Sequence, residues 1–204
     1  MATGETILGL VLAGGRSSRF GGGEKAAGLL HGRTLLDLAV ERLRASCAAV
    51  AVSAAAGSEV ERLAQGAGLP VLHDAAEGPR GPLCGLLAGL AWARREGAGL
   101  LAPLPCDVPH APEDLVARLA SALTPNDGAA VARTPDGLQS LCTLLRTGLE
   151  PALATLLARG EHPPVHEWLA DVRAREVAFA DGAAFANLNT REDLSNLADP
   201  PSNR

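Results

Sequence analysis

The segment Leu12-Ala13-Gly14-Gly15-Arg16-Ser17-Ser18-Arg19-Phe20-Gly21-Gly22-Gly23-Glu24-Lys25 combines closely spaced glycines with the cations Arg16, Arg19 and Lys25. Glycine lets backbone N–H groups approach an anion with no Cβ in the way. Guanidinium and ammonium groups then supply the charge that a polyphosphate needs. The spacing differs from that of two better-known glycine loops. Lys25 follows Glu24 and precedes Ala26, so no Ser/Thr stands after the lysine as it does in a P-loop. Gly14 and Gly15 are adjacent, and two arginines stand where a dinucleotide fingerprint runs into its helix.

A second constellation is Leu104-Pro105-Cys106-Asp107-Val108-Pro109, a carboxylate just past an apolar run and between prolines. A carboxylate facing phosphate repels it unless a cation sits between them. Mg²⁺ suits that place, because it takes oxygen ligands and bridges phosphates. The alternative is a turn or helix cap. A third constellation starts at His73-Asp74 and continues through Gly81-Pro82-Leu83-Cys84-Gly85. Asp74 is placed to meet a ribose or a base edge, and a helix opening at Gly81 offers free N–H donors.

The elements that must position these residues alternate along the chain. Apolar runs predict strands over Ile7–Leu12, Ala49–Ser53, Leu69–His73 and Leu100–Pro105. Helical periodicity covers Thr34–Ala45, Ser58–Gln65, Leu83–Arg95 and Pro112–Leu123. Thr34 with Asp37, and Ser58, read as N-caps, and Pro112 as a first-turn proline. Beyond Asn126-Asp127-Gly128 a hairpin is expected, Ala129–Arg133 and Leu138–Arg146 about a Thr134-Pro135-Asp136-Gly137 turn. Helices over Leu149–Arg159 and Val165–Leu169, a strand over Glu176–Phe179 and a Thr190-capped helix to Leu197 complete the chain. The fold class expected is α/β: a three-layer, Rossmann-like, mostly parallel twisted sheet with an antiparallel addition in the last third. Residues 1–199 read as a single domain, with a nucleotide-binding half over 1–110, a second-substrate part over 128–199 and a loose tail over 200–204.

In such a sheet the carboxyl ends of the strands face the ligand crevice, which puts the glycine loop and Asp107 on one rim. The net charge of −5 and the lack of a Lys/Arg block argue against a nucleic-acid surface. Aromatics make up only 2% of the chain, so Leu, Ala and Val must build the core. Cys47, Cys84, Cys106 and Cys142 form no C-x-x-C and read as small hydrophobes in a reducing compartment. No apolar run approaches membrane-spanning length, and a cytoplasmic location is expected. His31, His73, His110, His162 and His166 show no triad or ligand spacing.

Taken together these motifs, with Asn187-Leu188-Asn189-Thr190 near the end, resemble the molybdenum cofactor guanylyltransferase family. That family belongs to the wider nucleotidyltransferases of the sugar-nucleotide pyrophosphorylase type, and the likeness spans almost the whole chain. The resemblance implies a Mg²⁺-dependent transfer of GMP from GTP to molybdopterin-bound molybdenum, with release of pyrophosphate. It implies that Leu12, Ala13 and Gly14 line the nucleotide, with Gly15, Arg16, Ser53, Asp74 and Gly81 beside it. Lys25 would hold the phosphates, with Arg19, and Asp107 would bind both metal and nucleotide. Ser53 stands where the family has asparagine, Glu24 where it has aspartate and Phe20 where it has methionine. Gln139, Asn187 and Asn189 would face the second substrate, with Arg133 or Arg146 available to its phosphate.

A phosphate monoester nucleophile is already mostly ionised at neutral pH, so no protein base is required. Catalysis then rests on positioning and charge neutralisation. For the guanine edge, the Leu12 carbonyl and Asp74 are the acceptors on offer. A monomer is expected, with transient contacts to cofactor-handling proteins. The alternatives are a sister enzyme using CTP or a sugar phosphate, and a non-catalytic nucleotide-binding regulator.

Overall fold

A computed structural model of the chain describes residues 4–13, 24–73, 81–188 and 193. Seven strands form one sheet, in the order β5-β4-β1-β6-β8-β7-β9. They are β1 (Ile7–Leu12), β4 (Val50–Ser53), β5 (Val71–Leu72), β6 (Leu100–Pro105), β7 (Ala129–Thr134), β8 (Gly137–Arg146) and β9 (Ala174–Ala178). β2 (Leu29–Leu30) and β3 (Arg33–Thr34) make a separate small hairpin. Its turn residues His31 and Gly32 both have positive φ (50° and 76°), which the sequence pattern had not marked.

The helices are α1 (Leu35–Arg44), α2 (Glu59–Gly66), α3 (Pro82–Arg95), α4 (Leu115–Ala122), α5 (Glu150–Ala158) and α6 (Val165–Asp171). They cover both faces of the sheet. Alternate strand residues divide between the two layers. Val11, Val52, Leu100, Leu104 and Leu144 pack with α1, α2 and α4, while Leu10, Ala51, Leu101 and Leu145 pack with α3 and α6. This is the expected three-layer arrangement. The thin supply of aromatics is met by leucine: Leu10, Leu35, Leu43, Leu90, Leu100, Leu101, Leu104 and Leu119 are at most 1% exposed.

Most element boundaries fall within two residues of the sequence reading, and Thr34–Asp37 forms the full capping box. Three differ for physical reasons. β5 is reduced to two paired residues at the sheet edge, where a short strand limits unwanted pairing. α4 starts at Leu115, with Pro112 in the preceding turn, where its carbonyl accepts the Leu115 N–H at 3.1 Å. In the last third β8 alone is reversed: β9 runs parallel to β7, and β7 runs parallel to β6. The expected Thr190–Leu197 helix and the 200–204 tail lie outside the described residues, apart from Asp193, which is helical.

The sheet order has a switch point. From β1 the chain moves outward through β4 and β5, then returns to β6 on the other side of β1. Ligands of open α/β sheets bind outside the carboxyl ends of the strands at such a point. A further feature opens the same place. The N–H groups of Leu100 and Cys106 donate to Thr6 and Leu12 of β1, so the odd-numbered residues of β6 face β8. Above Leu101 those residues are Pro103 and Pro105, which have no N–H to give. Pairing with β8 is accordingly limited to Leu100–Arg146 and Leu101–Leu145. β8 is also bulged: Val131 lies opposite Thr143 but Ala132 opposite Gln139, leaving residues 140–142 outside the ladder. The sheet therefore parts beside the end of β6.

Gly128 fixes the start of β7 and contacts the α6–β9 junction, donating its N–H to the Val172 carbonyl. A Cβ there would lie 2.3 Å from that same oxygen. Gly128→Ala should destabilise the protein by about 1–3 kcal/mol, read as a lower urea midpoint with an unchanged m-value.

Candidate active site

Two residues 82 positions apart meet at the switch point. Lys25 Nζ donates to Asp107 Oδ2 at 2.7 Å. Both side chains are largely shielded, with 13% and 22% exposure. Asp107 follows β6 directly, held in a turn where the Val108 N–H donates to the Pro105 carbonyl. Its second oxygen, Oδ1, is buried and has no hydrogen-bond partner among the described residues. A buried carboxylate oxygen without a donor is costly, and a cation is the partner that relieves it. No cluster of three or more His, Cys, Asp or Glu side chains that could hold a metal occurs among the described residues. One carboxylate completed by substrate phosphates and waters is the donor set that Mg²⁺ commonly takes.

Lys25 opens a short 3₁₀ turn, Lys25–Ala27, where the Gly28 N–H donates back to the Lys25 carbonyl at 3.0 Å. Ala26 is fully buried in the α1-side core. The Gly28 carbonyl accepts the N–H of Leu35, the first residue of α1. Glu24 spans the N-terminus of α2, accepting from Glu59 N at 3.1 Å and Val60 N at 2.8 Å.

The other predicted residues divide into three groups. Gly14, Gly15, Arg16, Arg19, Asp74 and Asn189 lie outside the described residues. Leu12, Ala13, Ser53 and Gly81 all stand at the carboxyl edge of the sheet. The Leu12 carbonyl, offered above to guanine, already accepts the Cys106 N–H at 3.2 Å within the β1–β6 ladder. The Ser53 side chain is 3% exposed, and its carbonyl accepts the Ala13 N–H. A Cβ on Gly85 would come within 3.1 Å of Ser53 Oγ and of Leu12 Cδ2, so this glycine seats α3 closely on the strand ends. Gly81 is the extended N-cap of α3, with Pro82 at the first turn.

In the third group, Asn187 is exposed and adjoins Leu188, whose N–H donates to the Asp107 carbonyl at 2.9 Å. The C-terminal segment is thus brought to the site. Gln139 lies at the same edge, with Nε2 donating to Thr134 Oγ1 at 3.1 Å. The two arginines offered to a second phosphate are engaged elsewhere. Arg133 forms a two-pronged pair with Glu176 at 2.7 and 2.6 Å. Arg146 lies at the opposite edge of the sheet, bonded to Glu5 and to the carbonyls of Asp127 and Thr124. Sequence proximity could not assign these partners, since each comes from a distant element.

A cavity of about 470 Å³ lies away from this pair, lined among others by Arg42, His110, Arg118, Phe179 and Asp181. Arg42 is paired with Glu113, and Arg118 stacks 3.8 Å over Phe179. Its charges are largely matched internally, and neither Lys25 nor Asp107 lines it.

A model of the MobA-like NTP transferase domain matches residues 9–176. The chain belongs to that family. Among its relatives, a molybdenum cofactor guanylyltransferase of Acidiphilium cryptum is 39% identical over 193 residues, covering 94% of each chain. One of Cereibacter sphaeroides is 42% identical over 190 residues, covering 93% of this chain and 94% of the relative. The crystal structure of molybdopterin-guanine dinucleotide biosynthesis protein A from Archaeoglobus fulgidus superposes with a TM-score of 0.71 at 19% identity. It covers 94% of this chain and 96% of its own, a match of fold. Among the described residues of this MobA-like protein, no helix is long and apolar enough to cross a membrane.

Burial pushes the thiols of Cys106 and Cys142 up to about 12, and the nearby Asp107 charge adds to the effect. Burial alone does the same at Cys47. These thiols are not nucleophiles at neutral pH. In the native protein Cys106 and Cys142 should react with a disulfide reagent about a thousandfold more slowly than free cysteine. Mass mapping of the labelled sites checks this, with all four cysteines reacting once the chain is unfolded.

Proposed function

We propose that this protein transfers GMP from GTP to the terminal phosphate of molybdopterin-bound molybdenum. A phosphate oxygen of the acceptor attacks the α-phosphorus of GTP. The bond from the α-phosphorus to the bridging oxygen breaks, and pyrophosphate leaves with that oxygen. The observation that carries this reading is the Lys25–Asp107 pair at the switch point, in a chain with close relatives named for guanylyl transfer.

The chemistry needs little from the protein by way of proton transfer. An ionised phosphate attacks unaided, and the thiols near Asp107, those of Cys106 and Cys142, are kept protonated by burial. What the reaction needs is for two polyanions to be held in line. Lys25 supplies a fixed positive charge, oriented by its bond to Asp107. Arg19 and Arg16, from the glycine loop, add charge along the triphosphate. Asp107 would hold Mg²⁺ through the oxygen that lacks a donor, and a metal there would neutralise phosphate charge. Leu12, Ala13, Gly14, Gly15, Ser53, Asp74 and Gly81 line the nucleotide side. Gln139, Asn187 and Asn189 would face the acceptor, at the edge where β6 and β8 are no longer paired.

Guanine rather than cytosine follows from the relatives' names. The Leu12 carbonyl, which has a second lone pair beyond its bond to Cys106, and the Asp74 carboxylate are the acceptors for the guanine edge. GTP with Mg²⁺ should raise the melting temperature more than CTP or UTP does, since a ligand of the native state stabilises it. A larger shift with CTP would transfer the assignment to the cytosine-using sister reaction.

Lys25→Ala should lower pyrophosphate release by about 100-fold or more, with a far-ultraviolet circular dichroism spectrum like that of the parent. Near-normal turnover would remove Lys25 from the mechanism. Asp107→Asn should abolish Mg²⁺-dependent turnover; an unchanged metal titration would rule the metal site out.

A further inference from the structure

The N-terminus of α2 is an anion-binding end that the protein fills from within. Three of its first N–H groups have side-chain partners. Ser58 Oγ accepts from Glu61 N at 3.0 Å. The two preceding N–H groups, of Glu59 and Val60, are each taken by one oxygen of the Glu24 carboxylate. Glu24 is 35 residues away from Glu59 in sequence and next to Lys25. Charge-assisted bonds of this kind are stronger than neutral ones, and the helix dipole favours the negative end of the pair.

We infer that Glu24 is a positioning residue, which clamps the end of the glycine loop to α2 and so sets where Lys25 stands against Asp107. This rests on the proposed role of Lys25. Lys25 opens a short 3₁₀ turn. The Ala26 methyl below it is buried in the core, and Gly28 ties it to α1. Those contacts act on the C-terminal side of Lys25. On its N-terminal side, among the described residues, the Glu24 carboxylate supplies the fixed contact. The turn's backbone bonds are local and would survive a rotation of the whole segment. The Glu24 clamp connects it to a separate helix and opposes that rotation. Glutamate reaches both N–H groups at once.

The test combines activity with a local structural probe. Glu24→Ala should lower kcat for pyrophosphate release by about 100-fold, the scale on which a small misplacement of a catalytic group acts. On a Lys25→Ala background the same change should cost less than about twofold, because a residue that works through Lys25 has nothing left to position. Glu24→Gln, which keeps one acceptor oxygen, should fall between Glu24→Ala and the parent, with a melting temperature close to the parent's. Hydrogen exchange of the Glu59 and Val60 amides should speed up in Glu24→Ala, while Glu61, held by Ser58, keeps its protection. If Lys25→Ala is slow but Glu24→Ala is as fast as the parent, the positioning role is overturned and the reading of Lys25 stands. The same holds if the two losses multiply in the double variant. If Lys25→Ala is itself fast, the role proposed for Lys25 fails, and the inference with it.

Discussion

The ion pair between Lys25 and Asp107 is the constraint around which this molecule is arranged. It joins the segment that leaves β1 to the turn that ends β6, across the point where the sheet reverses its strand order. A pair this shielded repays its desolvation only when its geometry is held. Among the described residues, one Asp107 oxygen has a partner and the other is buried without one. That asymmetry is costly for the fold alone, and it suits a protein whose carboxylate is completed by what it binds.

Much of the surrounding structure can be read as support for that geometry. Asp107 is held from two directions, by the proline-bounded turn after β6 and by the Leu188 N–H at its carbonyl. Leu188 is itself buried with Leu30 and Leu35, so the C-terminal segment is tied to the small hairpin and to α1. Lys25 is held by the buried Ala26 and by the Glu24 bridge to α2. Pairing beside the pair ends for want of a donor: Pro103 and Pro105 give β6 no N–H toward β8. In most central strands such prolines would be a defect; here the broken ladder parts the sheet next to Asp107.

The legible parts of the chain were those written in local pattern. The seven strands of the sheet and the Thr34 and Ser58 caps follow from periodicity and from residues a few positions apart. Placing the Lys25 segment and Asp107 on one rim followed from a general rule of parallel sheets. The misreadings share one cause. Arg133 and Arg146 looked available because their partners, Glu176 and Glu5, lie far along the chain. Glu24 looked incidental because its two donors belong to α2.

By itself, then, the sequence determined the α/β class, the nucleotidyltransferase family and the strand-end positions from which Lys25 and Asp107 meet. Periodicity, glycine spacing and residue charge act over short separations, where a linear chain states them directly. The tertiary structure decided which carboxylate meets Lys25 and which oxygen of it lacks a donor. It also decided that Arg133 and Arg146 pair with Glu176 and Glu5, and that Glu24 reaches the N-terminus of α2. Those are pairings between groups that chain order leaves apart and that the packing of two layers on a shared sheet brings within hydrogen-bond reach.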